Sequence, residues 1–276
     1  MLGAPTAADT FAANRAVGRI ALAVKAERGV TRCRRLREQG PLRVRFPGSP
    51  SAELEAVIVN TAGGVAGGDR FDIAVDVAPG ARLVVTSAAA EKIYRTLQPE
   101  TRIDVKLVVA GGGSLAWLPQ ETILFDRSRL RRSLEIDLAA DARLLLAEAI
   151  VFGRSGMDEA IAEGALLDRW RIRREGALVH AEATRLDGAV AKSLGARAVA
   201  DGGVAVATVV ALPAGDDRVA AVRALEAQFL GEVGASAWNG LLVVRFCARD
   251  GRALRHDLIA ALSVMHGAGL PRLWLN

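Results

Sequence analysis

The sequence is poor in the side chains that bind metals tightly. Its 276 residues include only two cysteines and three histidines, all well separated: Cys33, Cys247, His180, His256 and His266. Because no CxxC pair occurs, the sequence predicts neither a disulfide framework nor a closed zinc site, and it fits a reducing compartment. A metal ion handled by this chain is therefore expected to meet separated carboxylates, such as Asp69, Asp72, Glu121 and Glu182.

Long apolar runs are absent as well. The first residues, MLGAPTAADTFAANRAVGRI, contain no basic segment followed by a long apolar stretch, and no later stretch is long enough to span a bilayer. Together with the two isolated cysteines, this pattern predicts a soluble, cytoplasmic protein that has no membrane partner.

Aromatic residues and excess charge are also scarce. Aromatic residues make up 4% of the chain, and 36 Lys and Arg stand against 31 Asp and Glu, so no nucleic acid partner is expected. The arginines nevertheless occur in three clusters, at Arg32 to Arg37, Arg127 to Arg132 and Arg169 to Arg174. We interpret each cluster as the solvated face of a strand or loop, and a binding patch for an acidic partner is the alternative.

What the sequence does contain is a strong alternation of apolar and polar residues. The alternation is clearest at Phe71 to Val77 and at Ile103 to Val109, which are predicted to be half-buried strands. Further strands are predicted at Leu42 to Phe46, Leu54 to Asn60, Arg82 to Thr86, Leu115 to Leu118, Thr122 to Phe125, Ser133 to Leu138, Leu144 to Phe152, Trp170 to Arg173, Leu178 to Leu186, Val204 to Leu212 and Leu241 to Phe246. Gly and Pro punctuate most of the gaps between them, as turns require.

Two late segments have helical spacing instead. The first begins at Asp216 or Asp217 and is expected to stop near Gly231 or Gly234. The second places Leu254, Leu258, Leu262 and Met265 on one face and ends at Gly267. Strands do not alternate with helices, so the pattern disfavours a doubly wound nucleotide-binding sheet. It favours a mainly β protein, a large and mostly antiparallel assembly with two α-helices, and no internal sequence repeat is convincing.

A glycine-rich segment, Asn60 to Arg70, lies between two predicted strands. A phosphate-binding loop would need Gly-Lys-Ser/Thr followed by a helix, whereas here Asp69, Arg70 and a strand follow the glycines. The simplest interpretation is a tight turn that Asp69 closes. The alternative is that the Asp69 carboxylate lines an interior path.

Two further segments do not support catalysis. In Thr86 to Arg95, a serine and a lysine lack the Ser-x-x-Lys spacing, and every histidine is far away in sequence, so no triad can be built. A hydrolase would need a nucleophile, acid or base that the sequence does not supply.

The segment Trp117 to Asp126 is rich in large apolar residues around a proline and is predicted to be a corner between two strands.

The C-terminal segment, Gly269 to Trp274, combines Arg272 with Trp274. Such pairs are enriched at the energetic centres of protein interfaces. A tail that is tied onto its own core is the equal alternative.

Taken in order, five segments of the sequence resemble the UreD family of urease accessory proteins, also called UreH. These are Gly63 to Asp69, Glu91 to Arg95, Trp117 to Asp126, Phe152 to Met157 and Pro271 to Trp274. The resemblance runs from about residue 17 to the end. It implies a β-rich, partly helical-wound sheet fold with two helices in the C-terminal third. It also implies a single domain over residues 1–276, in which residues 1–16 are flexible.

The same resemblance implies a function in urease maturation. Members of the family are non-enzymatic scaffolds that bind UreF, and through it the GTPase UreG, and that dock on apo-urease. They assist nickel incorporation into the urease active site, and they are thought to pass the ion through an internal tunnel. The resemblance therefore implies transient nickel and no tightly bound cofactor.

By motif match, the resemblance carries functional roles over to Asp69 and Tyr94, and it carries a role on the nickel path to Glu182. Arg272 and Trp274 are the further candidates, at the C-terminus. The sequence departs from the family pattern at Ser87, where many members have threonine, and at Glu91, where many have Gly or Ser. The second departure places an extra carboxylate beside the proposed path.

Overall fold

The computed structural model describes residues 15–48, 51–96, 99–154, 157 and 159–275. Of the segment that was expected to be flexible, residues 1–14 lie outside the described residues. Ala16 donates its backbone N–H to Asp69, and Arg15 donates from Nη1 to the Gly67 carbonyl. Ser155 and Gly156, which belong to one of the family motifs, also lie outside the described residues.

The strands form two large sheets. Sheet A contains, in spatial order, β14 (Ala177–Gly188), β13 (Gly164–Arg174), β11 (Arg129–Leu138), β8 (Thr101–Val109), β5 (Arg70–Val77), β1 (Val17–Glu27) and β2 (Val30–Gln39). Sheet B contains β16 (Glu232–Trp238), β17 (Leu241–Ala248), β15 (Ala205–Leu212), β12 (Arg143–Phe152), β9 (Ser114–Leu118), β6 (Arg82–Ser87), β4 (Leu54–Asn60) and β3 (Leu42–Arg45). The short strands β7 (Glu91–Ile93) and β10 (Thr122–Leu124) pair with each other, and β10 also pairs with β12.

The chain winds back and forth between the two sheets. From β4 to β13 the longer strands fall alternately in sheet B and sheet A, so each strand lies parallel to the strand one turn earlier. Antiparallel pairs occur mainly towards the ends of the sheets, as between β1 and β2 or β13 and β14. The expectation of a mostly antiparallel assembly is therefore wrong. A parallel pair needs a crossover, and here the crossover is a strand of the facing sheet and not a helix.

A structural repeat accompanies this winding, although the sequence shows no convincing repeat. Leu54 pairs with Leu83, Leu83 with Leu115, and Leu115 with Leu144, one on each successive turn. Each turn thus adds an apolar side chain at the same level of the stack, as in other solenoids. The mainly β, helically wound fold that the family resemblance implied is confirmed.

The hydrophobic core lies between the two sheets, and a second apolar layer lies outside sheet B. The first layer includes Leu107, Leu134, Ile136 and Leu146. In the second, Leu254, Leu258, Leu262 and Met265 cover the other face of sheet B. Central strands of sheet B, such as β12 and β15, are therefore buried on both faces, while strands of sheet A such as β8 and β11 alternate between buried and accessible residues. The outer face of sheet A is open to solvent.

The described helices are α1 (Val190–Leu194), α2 (Asp216–Arg223) and α3 (Gly251–His266). The two predicted helices correspond to α2 and α3, but α2 ends earlier than expected and a 3₁₀ turn, Glu226–Gln228, follows it. The side chain of Asp250 caps α3 by accepting the Ala253 N–H at 2.8 Å, and Gly267 ends it with φ of 68°. Within the described ranges, none of the helices is long and apolar enough to cross a membrane.

Candidate functional site

Asp69 closes the glycine-rich turn from inside the protein. Asp69 is the residue immediately before β5, and it is 5% exposed. One carboxylate oxygen accepts the Ala16 N–H and the other accepts the Ala66 N–H, both at 2.8 Å. The carboxylate thus joins the start of β1 to the turn, which matches the simplest interpretation of the sequence.

Tyr94 lies against the same turn. Its hydroxyl donates to the Gly63 carbonyl at 2.9 Å, and its ring meets Phe125 edge-on at 5.3 Å between centroids. A Cβ added at Gly64 would lie 2.5 Å from the Tyr94 ring, so a glycine is needed there for the close approach. The structure therefore places Asp69 and Tyr94 at two ends of one glycine-rich turn.

Glu182 lies elsewhere, on β14. Its two oxygens accept hydrogen bonds from Arg245 at 2.8 and 2.9 Å, and His180 Nε2 lies 3.4 Å from one of them. Burial alone would raise the pKa of Glu182, but the neighbouring His180 and the hydrogen-bonded Arg245 outweigh it and lower the pKa to about 2. Glu182 is therefore ionised and fully paired at neutral pH.

The structure does not bring Asp69 and Glu182 together. Asp69 precedes β5, and Glu182 is on β14, four strands further along sheet A. At the usual spacing of about 4.8 Å between strands, that separation is roughly 19 Å. In the described part of the chain, no group of three or more His, Cys, Asp or Glu side chains could hold a metal ion.

Between these two positions, the core contains a charged cluster that sequence reasoning missed. Arg132 on β11 donates to both oxygens of Asp168 on β13, at 3.0 Å from Nε and 2.5 Å from Nη2. Its Nη1 also donates to Glu148, which lies on β12 of the facing sheet. The Trp117 indole donates to the second oxygen of Glu148 at 2.8 Å. These four residues, which we call the interior cluster, tie the two sheets together.

The interior cluster carries more negative charge than positive charge when it is fully ionised. The side chains of Arg132, Glu148 and Asp168 are only 5–6% exposed, and two carboxylates face one guanidinium. Burial raises the pKa of Glu148, although Arg132 opposes the shift. For Arg132, burial would lower the pKa, but the two carboxylates outweigh it and raise the pKa. A proton or a small cation would complete the charge balance of this cluster.

The C-terminal candidates separate into one buried and one exposed residue. Trp274 is 1% exposed, and its indole donates to the Leu118 carbonyl at 2.9 Å. Arg255 of α3 clamps the same segment by donating to the Leu273 and Trp274 carbonyls. Arg272 remains exposed. The segment is therefore tied onto its own core, which was one of the two alternatives.

Asp69→Asn is expected to destabilise the protein by about 1–3 kcal/mol, because the amide group cannot accept both backbone N–H groups. The free energy of unfolding in urea measures the loss. Asp72→Asn is the matched control, because the Asp72 side chain is half-exposed and its hydrogen-bond partner among the described residues is the exposed Arg19. The effect of this substitution should stay within about 0.5 kcal/mol. Equal stability of the two variants would contradict a structural role for the Asp69 carboxylate.

Glu91→Gln is expected to remove a pH dependence of stability. Burial raises the pKa of Glu91 from its ordinary value of 4.5 to about 7, although a hydrogen bond from Asn60 opposes the shift. Because the pKa of Glu91 is higher in the folded state than in the unfolded state, the free energy of unfolding decreases as the pH rises from about 4.5 to about 7. The total decrease is about 3 kcal/mol. Urea denaturation at about pH 5 and at about pH 8 tests this. The exposed Glu175→Gln serves as control, and an unchanged pH dependence in Glu91→Gln would contradict the assignment.

Comparison with known proteins connects this architecture with a family. The chain matches the UreD urease accessory protein family over residues 16–275. It is 54% identical over 271 residues to the urease accessory protein UreD of Rhodopseudomonas palustris, covering 98% of this chain and 97% of that protein. It is 50% identical over 266 residues to UreD of Bradyrhizobium diazoefficiens, covering 96% of each. The chain therefore belongs to the UreD family of urease accessory proteins.

Proposed function

We propose that this protein is a non-enzymatic urease maturation factor of the cytoplasm. It binds UreF, and through UreF the GTPase UreG, and it docks on apo-urease to assist nickel incorporation into the active site. The observation that carries the proposal is membership of the UreD family over nearly the whole chain. The absence of a nucleophile–base pair in the sequence motifs agrees with a scaffold.

The interior cluster supports a route for nickel through the protein. Nickel accepts carboxylate oxygens as ligands, and Glu148 and Asp168 offer such oxygens around a single guanidinium. A divalent ion that passes between the sheets would compensate the surplus negative charge there. Because Arg132 already engages both carboxylates, nickel contact would be transient. This fits a protein that has no tightly bound cofactor and hands on what it receives.

The other candidates take roles that follow from their contacts. Glu182 is paired directly with Trp170 on the neighbouring strand, so the two side chains point to the same side of sheet A. Because Trp170 is buried between the sheets, Glu182 faces inward too, one strand further out than Asp168. We place it on the nickel path with Asp69. Tyr94 supports the turn that holds Asp69. Trp274 fixes the C-terminal segment, which leaves Arg272 exposed for contact with a partner.

Purification of the tagged protein from cells that express the whole urease operon tests the proposal. We expect UreF, UreG and the apo-urease subunits to copurify with it, and UreG to be lost when UreF is omitted. Copurification of none of these proteins would overturn the proposed function. Retention of UreG without UreF would overturn the order of assembly.

A further inference from the structure

The outer face of sheet A gathers the arginine clusters that the sequence scatters. On β11 the side chains of Arg132 and Leu134 are buried, so Arg131 and Glu135 point outward. The pairing register places Arg131 beside Arg102, and Arg102 beside Arg70. Three arginines from three parallel strands thus form one row on this face.

Neighbouring strands extend this basic surface in both directions. On β13, Arg169, Arg171 and Arg173 pair in register with the outward residues Ser133, Glu135 and Asp137. At the other edge of the sheet, Arg35 and Arg37 of β2 lie beside Ala23 and Ala21 of β1. All three arginine clusters therefore contribute to one face. We call it the arginine face and define it by its arginines: Arg35, Arg37, Arg70, Arg102, Arg131, Arg169, Arg171 and Arg173.

Some of these arginines are paired and others are not. Arg102 pairs with Asp104 at 2.5 Å, Arg131 with Glu100 at 2.6 Å, and Arg173 with Glu135 at 2.8 Å. Among the described residues, Arg169 and Arg171 make no side-chain hydrogen bond or ion pair. Like charges on adjacent strands repel one another, so the row of arginines costs stability in the isolated chain. A partner with carboxylates would remove that cost.

The shape of the face suits a protein surface. Two shallow depressions of about 820 and 530 Å³ adjoin there and share Asp104, Ser133 and Glu135 as lining residues. The interleaved acidic residues would repel a uniformly anionic polymer such as nucleic acid. The described aromatic residues of sheet A, Phe71 and Trp170, are both buried, so the face has no rings on which bases could stack.

We propose that the arginine face is the surface that docks onto an acidic surface of apo-urease. The inference rests on the proposed function, because it assigns a place on this chain to an interaction that the function requires. On the opposite side of the molecule, α2 and α3 already cover the outer face of sheet B, whereas the outer face of sheet A is open. Charge complementarity across the arginine face would steer the encounter and fix its orientation.

The test compares two matched pairs of charge reversals in the complex with UreF, titrated onto immobilised apo-urease. Arg169→Glu with Arg171→Glu changes the arginine face, while Arg223→Glu with Arg252→Glu makes the same charge change on the helices that cover sheet B. We expect the first pair to raise the Kd at least about tenfold and the second to leave it unchanged. Binding of the wild-type complex should weaken as salt rises from about 0.05 to 0.5 M.

The outcomes separate the inference from the proposed function. Failure of the wild-type complex to bind apo-urease overturns both. Equal Kd values for the two reversal pairs overturn the inference alone. It is likewise overturned if Arg169→Glu with Arg171→Glu loses UreF from the complex but still binds apo-urease. The inference is also overturned if the wild-type complex binds a DNA duplex and Arg169→Glu with Arg171→Glu abolishes that binding while the Kd for apo-urease stays unchanged. The arginine face would then be a nucleic-acid site. The neutral pair Arg169→Gln with Arg171→Gln decides the question if the reversals impair folding, with a smaller expected rise in Kd.

Discussion

Arg132→Met should destabilise the protein by about 3–5 kcal/mol. Methionine fills much of the space, but it leaves Glu148 and Asp168 buried without their shared cation. The free energy of unfolding in urea measures the loss. Arg131→Met is the matched control on the same strand. Since Arg131 is on the outer face and its ion-pair partner in the described part of the chain is the exposed Glu100, its loss should cost no more than about 1 kcal/mol.

The cost of Arg132→Met should also depend on pH. Burial already raises the pKa of Glu148, and removal of Arg132 takes away the charge that opposes this shift. A folded-state pKa above the unfolded value makes stability fall as pH rises between the two values. The variant should therefore recover part of its stability in acid, where Glu148 is protonated. A loss that is equal at about pH 5 and about pH 8, or no loss at all, would contradict the account of the cluster.

Trp274→Ala should destabilise the protein by about 3–5 kcal/mol, because it removes a large buried ring and its hydrogen bond to Leu118. The Arg255 guanidinium lies 5.4 Å from the ring centroid and would lose that contact as well. The midpoint of urea denaturation measures the effect.

The neighbouring Leu275→Ala provides the control for Trp274→Ala. Leu275 is 62% exposed, so its truncation should change the free energy of unfolding by no more than about 0.5 kcal/mol. A Trp274→Ala variant that is as stable as Leu275→Ala, but that fails to bind UreF, would show that the tryptophan belongs to an interface and not to the core.

The fold was predictable from the sequence where one face of an element is buried. Alternation from Phe71 to Val77 correctly predicts a strand, and the spacing of Leu254, Leu258 and Leu262 correctly predicts α3. The strand β2 gave no such signal, because nearly all of its residues are accessible. Strand direction was not predictable either. A period of two tells which side chains point inward, and it is the same for parallel and antiparallel pairs.

The interior cluster was only partly accessible to sequence reasoning. Arg132 stands between Leu130 and Leu134 at an inward position of the alternation, and Glu148 interrupts the apolar run from Leu144 to Phe152. A charge at such a position is a usable signal, because it must find a partner in the core. The partners themselves were not predictable. Asp168 lies one turn further along the winding and Glu148 lies across the core, and both relations depend on the register of the solenoid.

Glu148→Gln removes the surplus charge of the interior cluster while it preserves the shape of the side chain. Arg132 keeps both hydrogen bonds to Asp168. The amide oxygen can accept from the Trp117 indole or from Arg132 Nη1 but not from both, so the cluster loses one hydrogen bond, at a cost of about 1–3 kcal/mol. We expect the variant to fold despite this loss, which is smaller than the one expected for Arg132→Met, and to assemble with UreF and apo-urease as the wild type does. The substitution therefore tests the effect of the negative charge on a passing cation while the shape of the core stays the same.

The nickel content of urease purified from cells that carry Glu148→Gln tests the central claim, that nickel passes between the two sheets, most directly. Metal analysis per urease active site should show clearly less nickel than with the wild-type chain or with the exposed control Glu175→Gln, while equal amounts of the assembly with UreF and apo-urease are recovered. Urease with full nickel content from the Glu148→Gln cells would contradict a route through the interior cluster.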